Sequence, residues 1–335
     1  MLRKTLSLAT VVVLLPLVAV ACGGTGQASS DGGRGKLTLV AYSTPREAYE
    51  SIIPAFERSK AGEGVAFDQS YGSSGEQSRA VEQGLPADVV AFSLAPDVTR
   101  LVEAGLVDEN WDEGEYRGMV TDSVVVLVVR EGNPKGIHDW DDLVREDVEV
   151  ITPNPFTSGG ARWNVMAAYG AQVERGASKE VGVDYLRRLF GNVPVQDKSA
   201  REALATFAGG KGDVMLAYEN EAIFAQQAGE KIEYVVPDET ILIENPVAVV
   251  NESKNRATAE AFVEYLRTPE AQRIFGQKGY RPVVEDVLRE FDYAKPAKLF
   301  TIEDLGGWDR VMDEFFDRES GVMADIERDR GVAVE

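Results

Sequence analysis

Cysteine and histidine are almost absent from this chain of 335 residues, which contains only Cys22 and His138. One cysteine excludes a disulfide within the chain, and together the two residues cannot supply a Cys/His cluster for a metal ion. A Ser-His-Asp triad would have to use His138, and no nucleophile-elbow pattern accompanies it. We therefore expect no catalytic residues, no metal site and no cofactor, and predict that the protein is not an enzyme.

Basic residues are outnumbered as well. The 35 lysines and arginines stand against 56 aspartates and glutamates, which gives a formal net charge of −21. Such a surface repels nucleic acid and anionic lipid, so we expect no nucleic-acid partner. It also repels a small anion at long range. Any anion site would therefore have to work through short-range hydrogen bonds and dipoles.

The N-terminus has the pattern of a secretion signal. Arg3 and Lys4 precede a mostly apolar run, Leu6–Val20, which is short for a membrane span. The run ends at Ala19-Val20-Ala21-Cys22, which resembles a bacterial lipobox, in which the cysteine is acylated and becomes the new N-terminus. Ala19 departs from the usual leucine, and the alternative is an ordinary signal with an incidental cysteine.

A flexible tether is expected after the signal. Gly23–Gly35 is rich in glycine and serine, as flexible linkers are. We therefore predict a signal peptide at 1–21 and lipidated Cys22 with its tether at 22–36. The protein would be secreted and held by its lipid anchor on the outer face of the cytoplasmic membrane.

The remaining chain alternates between strand-like and helix-like segments, which predicts an α/β fold with a parallel sheet. Two apolar runs, Ser123–Arg130 and Pro246–Asn251, bracket a central block. The simplest topology leaves one lobe, builds a second and returns, which makes a hinge with a ligand between the lobes. The predicted bounds are 37–121 and 246–335, with C-terminal helices, for the first lobe and 122–245 for the second.

Two glycine-containing segments lie between a strand-like run and a helix-like run. They are Ser70–Gln77 and Asn154–Trp163, and each contains serine followed by glycine. Glycine leaves backbone N–H groups uncovered, and a helix start adds unpaired donors and a positive dipole end. The pair predicts one anion held from two sides by neutral groups.

Longer segments carry a family resemblance: AYSTPREAYE, QSYGSSGEQ, GLPADVVAFSLAPDV, VREGNPKGIHDWDDL, VITPNPFTSGGARWN, KGDVMLAYENEA and GYRPV. In this order they resemble the sulfate/thiosulfate-binding proteins of ABC importers, from about Thr38 to about Trp308. The resemblance implies the two-lobe periplasmic-binding fold of type II. It further implies a dehydrated sulfate dianion between closing lobes, membrane permease subunits as partners, and a monomer.

The resemblance also implies site residues. Matched position by position, the family's ligand-contacting residues correspond to Ser74, Ser158, Gly159, Gly160, Ala200, Tyr218 and Ser43. Tyr218 replaces an indole donor, and Ser43 replaces a carboxylate behind the site. These two departures bear on the choice among oxyanions.

Simpler interpretations stay open at four positions. Gly159-Gly160 is also typical of a helix-entry turn, Ser73-Ser74 of an N-cap, Tyr218 of a core aromatic and Ser43 of a turn. Thiosulfate, molybdate, tungstate or phosphate are alternative ligands, and an extracytoplasmic enzyme acting on sulfated or phosphorylated substrates is a further alternative. Monohydrogen phosphate needs an acceptor for its proton, and a buried O–H without one costs about 1–3 kcal/mol.

Overall fold

The computed structural model describes residues 35–332 and residue 334. Cys22, the predicted signal peptide and most of the predicted tether lie outside the described residues. Among the helices in the described part, none combines the length and the apolar character needed to cross a membrane.

Ten described strands form one mixed sheet in the order β2-β1-β3-β8-β4-β6-β5, with β10 paired to β8 and both β7 and β9 paired to β4. Their bounds are β1 Lys36–Tyr42, β2 Ala66–Gly72, β3 Val89–Ala91, β4 Met119–Arg130, β5 Val150–Ile151, β6 Val214–Tyr218, β7 Ile232–Val235, β8 Glu239–Val249, β9 Arg281–Pro282 and β10 Lys298–Phe300.

The α-helices alternate with these strands along most of the chain. Their bounds are α1 Arg46–Arg58, α2 Ser74–Glu82, α3 Ala95–Glu103, α4 Gly159–Glu174, α5 Lys179–Gly191, α6 Ala200–Ala208, α7 Glu219–Gln227, α8 Arg256–Leu266, α9 Pro269–Gln277, α10 Glu285–Leu288, α11 Gly307–Phe316 and α12 Val322–Asp329. Two short 3-10 helices span Trp140–Val144 and Glu303–Leu305. His138 lies just before the first of these and is exposed.

The alternating pattern predicts most elements, but the prediction of a parallel sheet is only half right. Strand β1 pairs in parallel with β2 and β3, whereas β8 is antiparallel to β3 and to β4. Val193–Gln196, which continues the alternation in the sequence, forms no strand. Val193 is buried in the core. Val193 is therefore apolar because it packs in the core, and not because it pairs in the sheet.

Strands β4 and β8 run side by side through the middle of the sheet. In β4, Val125, Leu127 and Val129 pack into one apolar cluster. The alternate residues Val124 and Val126 pack into another cluster on the opposite face. Burial on both faces explains why this strand is a continuous apolar run and not an alternating one. The antiparallel pair β4–β8 contains most of the two apolar runs at which the chain is predicted to pass between lobes. The hinge and the lobe bounds stay predictions.

The one or two amphipathic helices that the sequence predicts between Ile302 and Arg328 are present as α11 and α12. Their apolar residues, among them Val311, Phe315 and Met323, join the cluster that also contains Trp163 and Tyr169 of α4. The ring centroids of Tyr169 and Phe315 are 4.7 Å apart in an edge-on arrangement. The end of the chain is therefore part of the core around α4.

The β4–β8 pair generates a prediction about pH. Asp122 of β4 lies directly opposite Glu244 of β8. Burial, followed by the charge of Glu244, raises the pKa of Asp122 to about 7, although Arg281 and Arg117 act in the opposite direction. Between its ordinary pKa of 3.8 and 7 the folded state then binds more protons than the unfolded state. Folding stability through this group therefore falls as pH rises through that window.

We expect Asp122→Asn to gain stability relative to the wild type as pH rises from about 5 to about 8, because the amide does not ionise. Urea unfolding at several pH values measures the difference. The control is Asp286→Asn, since the Asp286 side chain is 90% exposed. A stability difference for Asp122→Asn that stays constant with pH would contradict the prediction.

Candidate anion-binding site

A small cavity lies where the N-termini of α2, α4 and α6 meet, with a free volume of about 10 Å³. This is close to the minimum space for one water molecule. Its lining contains all seven residues predicted as ligand contacts, together with five others: Tyr42, Ser43, Thr44, Gly72, Ser73, Ser74, Ser93, Ser158, Gly159, Gly160, Ala200 and Tyr218. The structure thus brings together residues that are up to 176 positions apart in the chain.

Helix α2 presents its first turn to the cavity. The sequence pattern predicts a helix from Gln77, whereas α2 begins three residues earlier at Ser74, because serine and glycine in a first turn carry no apolar signal. The N-cap residue Ser73 makes no capping bond, since its hydroxyl donates to Glu76 Oε2 at 2.5 Å. Within residues 35–332 the backbone N–H groups of Ser74 and Gly75 have no acceptor. The first turn of α2 therefore offers neutral donors.

The Ser74 hydroxyl is held by two buried hydrogen bonds. Its Oγ donates to Asp97 Oδ2 at 2.6 Å and accepts from the backbone N–H of Ser93 at 3.0 Å. A serine hydroxyl carries one proton. Ser74 can therefore donate either to Asp97 or to an anion, and its backbone N–H is the donor that stays available.

Helix α4 begins at the predicted double glycine. Its N-cap is Ser158, whose Oγ accepts from the N–H of Ala161 at 3.4 Å, so the hydroxyl proton remains available to a ligand. Gly159 and Gly160 are the first two helical residues, and their N–H groups have no acceptor in the described part of the chain. A Cβ on Gly159 would lie 2.1 Å from Leu94 Cδ2 and 2.7 Å from Ser93 Oγ. Glycine is required there because α4 approaches the segment after β3 so closely.

Helix α6 has a complete capping box. The Ser199 hydroxyl accepts from the N–H of Glu202 at 3.2 Å, and the Glu202 carboxylate accepts from the N–H of Ser199 at 3.1 Å. The box uses the third backbone donor of the helix and leaves the N–H of Ala200 without an acceptor among the described residues. Ala200 therefore lines the cavity with its backbone donor.

Tyr218 also lines the cavity. It is buried, and its hydroxyl lies 2.6 Å from Ser93 Oγ. Burial raises the pKa of Tyr218 well above its ordinary value, so the phenol keeps its proton. The carbonyl oxygen of Ser93 accepts from Trp163 Nε1 at 2.8 Å and from Asn245 Nδ2 at 3.0 Å, which fixes this residue.

Ser93 is the main residue that the sequence prediction missed. It is the first hydroxyl after β3, at the carboxyl end of a strand, where ligands of α/β sheets bind. This position after a strand could have indicated Ser93 as a residue of the site. Nothing in the sequence shows, however, that its side chain meets a tyrosine 125 residues later.

Charge beside the cavity is balanced by ion pairs. Arg201 donates to the carbonyl oxygen of Thr44 at 3.0 Å, and its guanidinium pairs with Glu47 at 2.8 Å and with Glu221 at 3.0 Å. Burial raises the pKa of Glu221 to about 7, against the effect of Arg201. Ser43 lines the cavity, and its hydroxyl makes no hydrogen bond within residues 35–332. It is part of the turn before α1, whose N-cap is Pro45.

The cavity is therefore a site of neutral donors. Backbone N–H groups and hydroxyls line it, and no lysine, arginine, aspartate or glutamate does in the described chain. Helix N-termini carry partial positive charge from unpaired N–H groups and the aligned peptide dipoles. Such a lining suits a small, fully ionised anion that has only acceptors to offer.

Comparison with known proteins agrees with this geometry. Residues 37–281 match the family described as bacterial extracellular solute-binding protein. The chain is 44% identical to a sulfate-binding protein of Synechococcus elongatus, over 94% of this chain and 93% of that protein. It is 35% identical to a thiosulfate-binding protein of Pseudomonas aeruginosa, over 89% of this chain and 92% of that protein.

A solved structure is similar as well. The sulfate-binding protein SubI from Mycobacterium tuberculosis is 46% identical, with a TM-score of 0.82 over 84% of this chain and all of that one. The chain belongs to the sulfate/thiosulfate-binding family of extracellular solute-binding proteins. More distant structures that share its fold are periplasmic binding proteins, which confirms the predicted two-lobe, type II fold.

The close approach at Gly159 predicts a specific defect. We expect Gly159→Ala to lower the affinity for sulfate by at least about tenfold, because overpacking of this kind costs about 1–3 kcal/mol. Titration calorimetry measures the affinity, and a thermal melt shows that the protein remains folded.

The matched control for Gly159→Ala is Gly191→Ala at the end of α5. A Cβ on Gly191 would meet nothing within 4 Å. Wild-type affinity in Gly159→Ala, or an equal loss in both variants, would show that the contact between α4 and the segment after β3 does not matter for binding.

Proposed function

We propose that this protein is the extracytoplasmic substrate-binding component of an ABC importer and binds sulfate as a dehydrated dianion. One observation carries the proposal: the starts of α2, α4 and α6 direct unpaired backbone N–H groups at one cavity without a charged side chain in its lining. The sulfate-binding relatives support the same ligand.

The ligand contacts proposed are Ser74 on one side and Ser158, Gly159, Gly160 and Ala200 on the other, with Tyr218 and Ser43 completing the lining. A site of neutral donors distinguishes anions that carry a proton from those that do not. Sulfate is fully ionised at neutral pH and accepts from every donor. Monohydrogen phosphate brings one O–H, which only the lone pairs of the lining hydroxyls could accept, and a buried O–H left without an acceptor costs about 1–3 kcal/mol.

Binding would draw the two sides of the cavity together. The donors of α2 and those of α4 and α6 contact one small anion only when both sides close on it. The bonds from Arg201 of α6 to Glu47 and Thr44 join the two sides in this structure. We infer that they form on closure and help to hold the closed state, which the membrane permease subunits would recognise.

The predicted lipid anchor at Cys22 completes the proposal. A tethered binding protein stays near its importer on the outer face of the cytoplasmic membrane without entering the bilayer. We propose that it acts there as a monomer. Mass spectrometry of the membrane-bound protein, which would find a diacylglyceryl-modified Cys22, tests the anchor.

The central experiment is titration calorimetry of the anion-free protein with sulfate at neutral pH and moderate salt, with one-to-one binding as the expected result. Ser158→Asp should lower the affinity at least about 100-fold, because juxtaposed like charges cost several kcal/mol. Ser178→Asp is the matched control. Ser178 is the exposed N-cap of α5, and aspartate caps a helix as well as serine does.

Thiosulfate is the second candidate ligand, because a thiosulfate-binding relative aligns over most of the chain. The same cell should receive thiosulfate, molybdate, tungstate and phosphate in competition with sulfate. Sulfate that neither releases heat nor competes with these anions would eliminate it as the ligand. Unchanged sulfate affinity in Ser158→Asp would instead reject the site assignment.

A further inference from the structure

A second cavity, of about 690 Å³, lies beside the first and differs from it in charge. Five cationic side chains and a single carboxylate line it: Arg79, Arg100, Arg162, Lys198, Arg318 and Glu76. We call this site the arginine pocket. Such a concentration of positive charge is unexpected in a chain with a net charge of −21.

Most of these cations form no ion pair in the described part of the chain. Arg100 pairs with Asp97 at 3.2 Å and approaches Glu82 at 3.8 Å. In contrast, Arg79, Lys198 and Arg318 form no ion pair within residues 35–332. Arginines elsewhere are commonly paired, as in Arg175–Glu239 at 2.6 Å or Arg273–Glu290 at 2.7 Å.

Arg162 is the most telling member of the pocket. It is only 5% exposed, and none of its contacts is a carboxylate. Its Nε donates to the carbonyl oxygen of Pro155 at 2.9 Å, and its Nη1 lies 3.5 Å from Met312 Sδ, which is a weak acceptor. Burial lowers the pKa of Arg162 to about 10, so the guanidinium still carries its charge at neutral pH.

The cations of the pocket repel one another. Burial, followed by the charges of Arg100 and Arg318, lowers the pKa of Arg79, although Asp97 and Glu76 act in the opposite direction. A bound anion would relieve this repulsion. Planar guanidinium forks match the oxygen geometry of tetrahedral oxyanions better than a point charge does. The presence of several cations favours an oxyanion with two negative charges.

The arginine pocket adjoins the neutral cavity. Thr157 lines the pocket and directly precedes Ser158, while Glu76 follows Ser74 by two residues in the first turn of α2. A Cβ on Gly75 would lie 3.1 Å from the carbonyl oxygen of Thr157 and 3.3 Å from Arg79 Nη1. The arginine pocket and the neutral cavity are therefore lined by neighbouring residues of the same two segments.

We propose that the arginine pocket is a second anion site, which collects a divalent oxyanion by charge and supplies it to the neutral cavity. The proposal rests on the proposed function in that sulfate is the anion supplied. A patch of one sign focuses the field locally and raises association rates by about 10- to 1000-fold, even where the remaining surface has the opposite sign. Charge would thus speed capture, and neutral donors would retain the anion.

Stopped-flow fluorescence of the tryptophans tests the rate, since Trp163 contacts Ser93 of the neutral cavity. We expect Arg79→Gln/Arg318→Gln to lower the association rate constant for sulfate by about tenfold at low ionic strength and to flatten its salt dependence. The dissociation rate should stay unchanged.

The matched control removes two exposed arginines outside the pocket, Arg187→Gln/Arg289→Gln, with the same change in net charge. It should keep the wild-type association rate. An unchanged rate in the pocket variant, or an equal loss in the control, would overturn the proposal.

Selenate, a tetrahedral dianion with an anomalous signal, locates the sites directly. Crystals of the wild type soaked in selenate should show one peak in the neutral cavity and a weaker one among the arginines, and the latter should vanish in Arg79→Gln/Arg318→Gln. A peak in the neutral cavity alone would reject the second site. A peak among the arginines alone would reject the proposed function of the neutral cavity and retain anion binding by the pocket.

Discussion

The site depends on backbone N–H groups that the protein itself leaves unpaired. The first turns of α2, α4 and α6 each present donors to one cavity. The hydroxyl of the N-cap residue has a different hydrogen-bond partner in each helix. In α6 a capping box uses one donor, in α4 Ser158 accepts from Ala161, and in α2 the hydroxyl of Ser73 turns to Glu76. The unpaired donors of Ser74, Gly159, Gly160 and Ala200 belong to residues that line the cavity, and an anion there would contact the starts of three helices at once.

The surrounding packing keeps these helix starts in place. The antiparallel pair β4–β8 is apolar on both faces and supports the cores on either side. Ser93 links the sheet to the cavity, because its carbonyl is held by Trp163 of α4 and Asn245 of β8 while its hydroxyl meets Tyr218 of β6. Charges near the cavity are neutralised in pairs, as Arg201 is by Glu47 and Glu221. A neutral lining therefore coexists with a highly acidic chain.

Much of this organisation was predictable from local patterns. The sequence pattern predicts a helix at Ala200–Ala208, and these are the bounds of α6. It predicts a strand at Leu37–Tyr42 and helices at Arg46–Lys60 and Ala95–Ala104, which agree with β1, α1 and α3 within two residues. It predicts the starts of α2 and α4 too late, because first turns made of serine and glycine lack apolar periodicity. At Val193–Gln196 it predicts a strand that does not form, because buried valine is equally typical of a strand and of a packed loop.

The sequence by itself determined the α/β class and the two glycine-containing segments, since these depend on short motifs and their order, and its family resemblance pointed to seven of the twelve residues that line the cavity. Only the tertiary structure decided how those residues share their hydrogen bonds. Ser74 donates to Asp97, 23 residues away, and Tyr218 meets Ser93 across 125 residues. It also decided which arginines lack a carboxylate. Ion pairing depends on distances between residues far apart in the chain, and a linear charge pattern does not contain those distances.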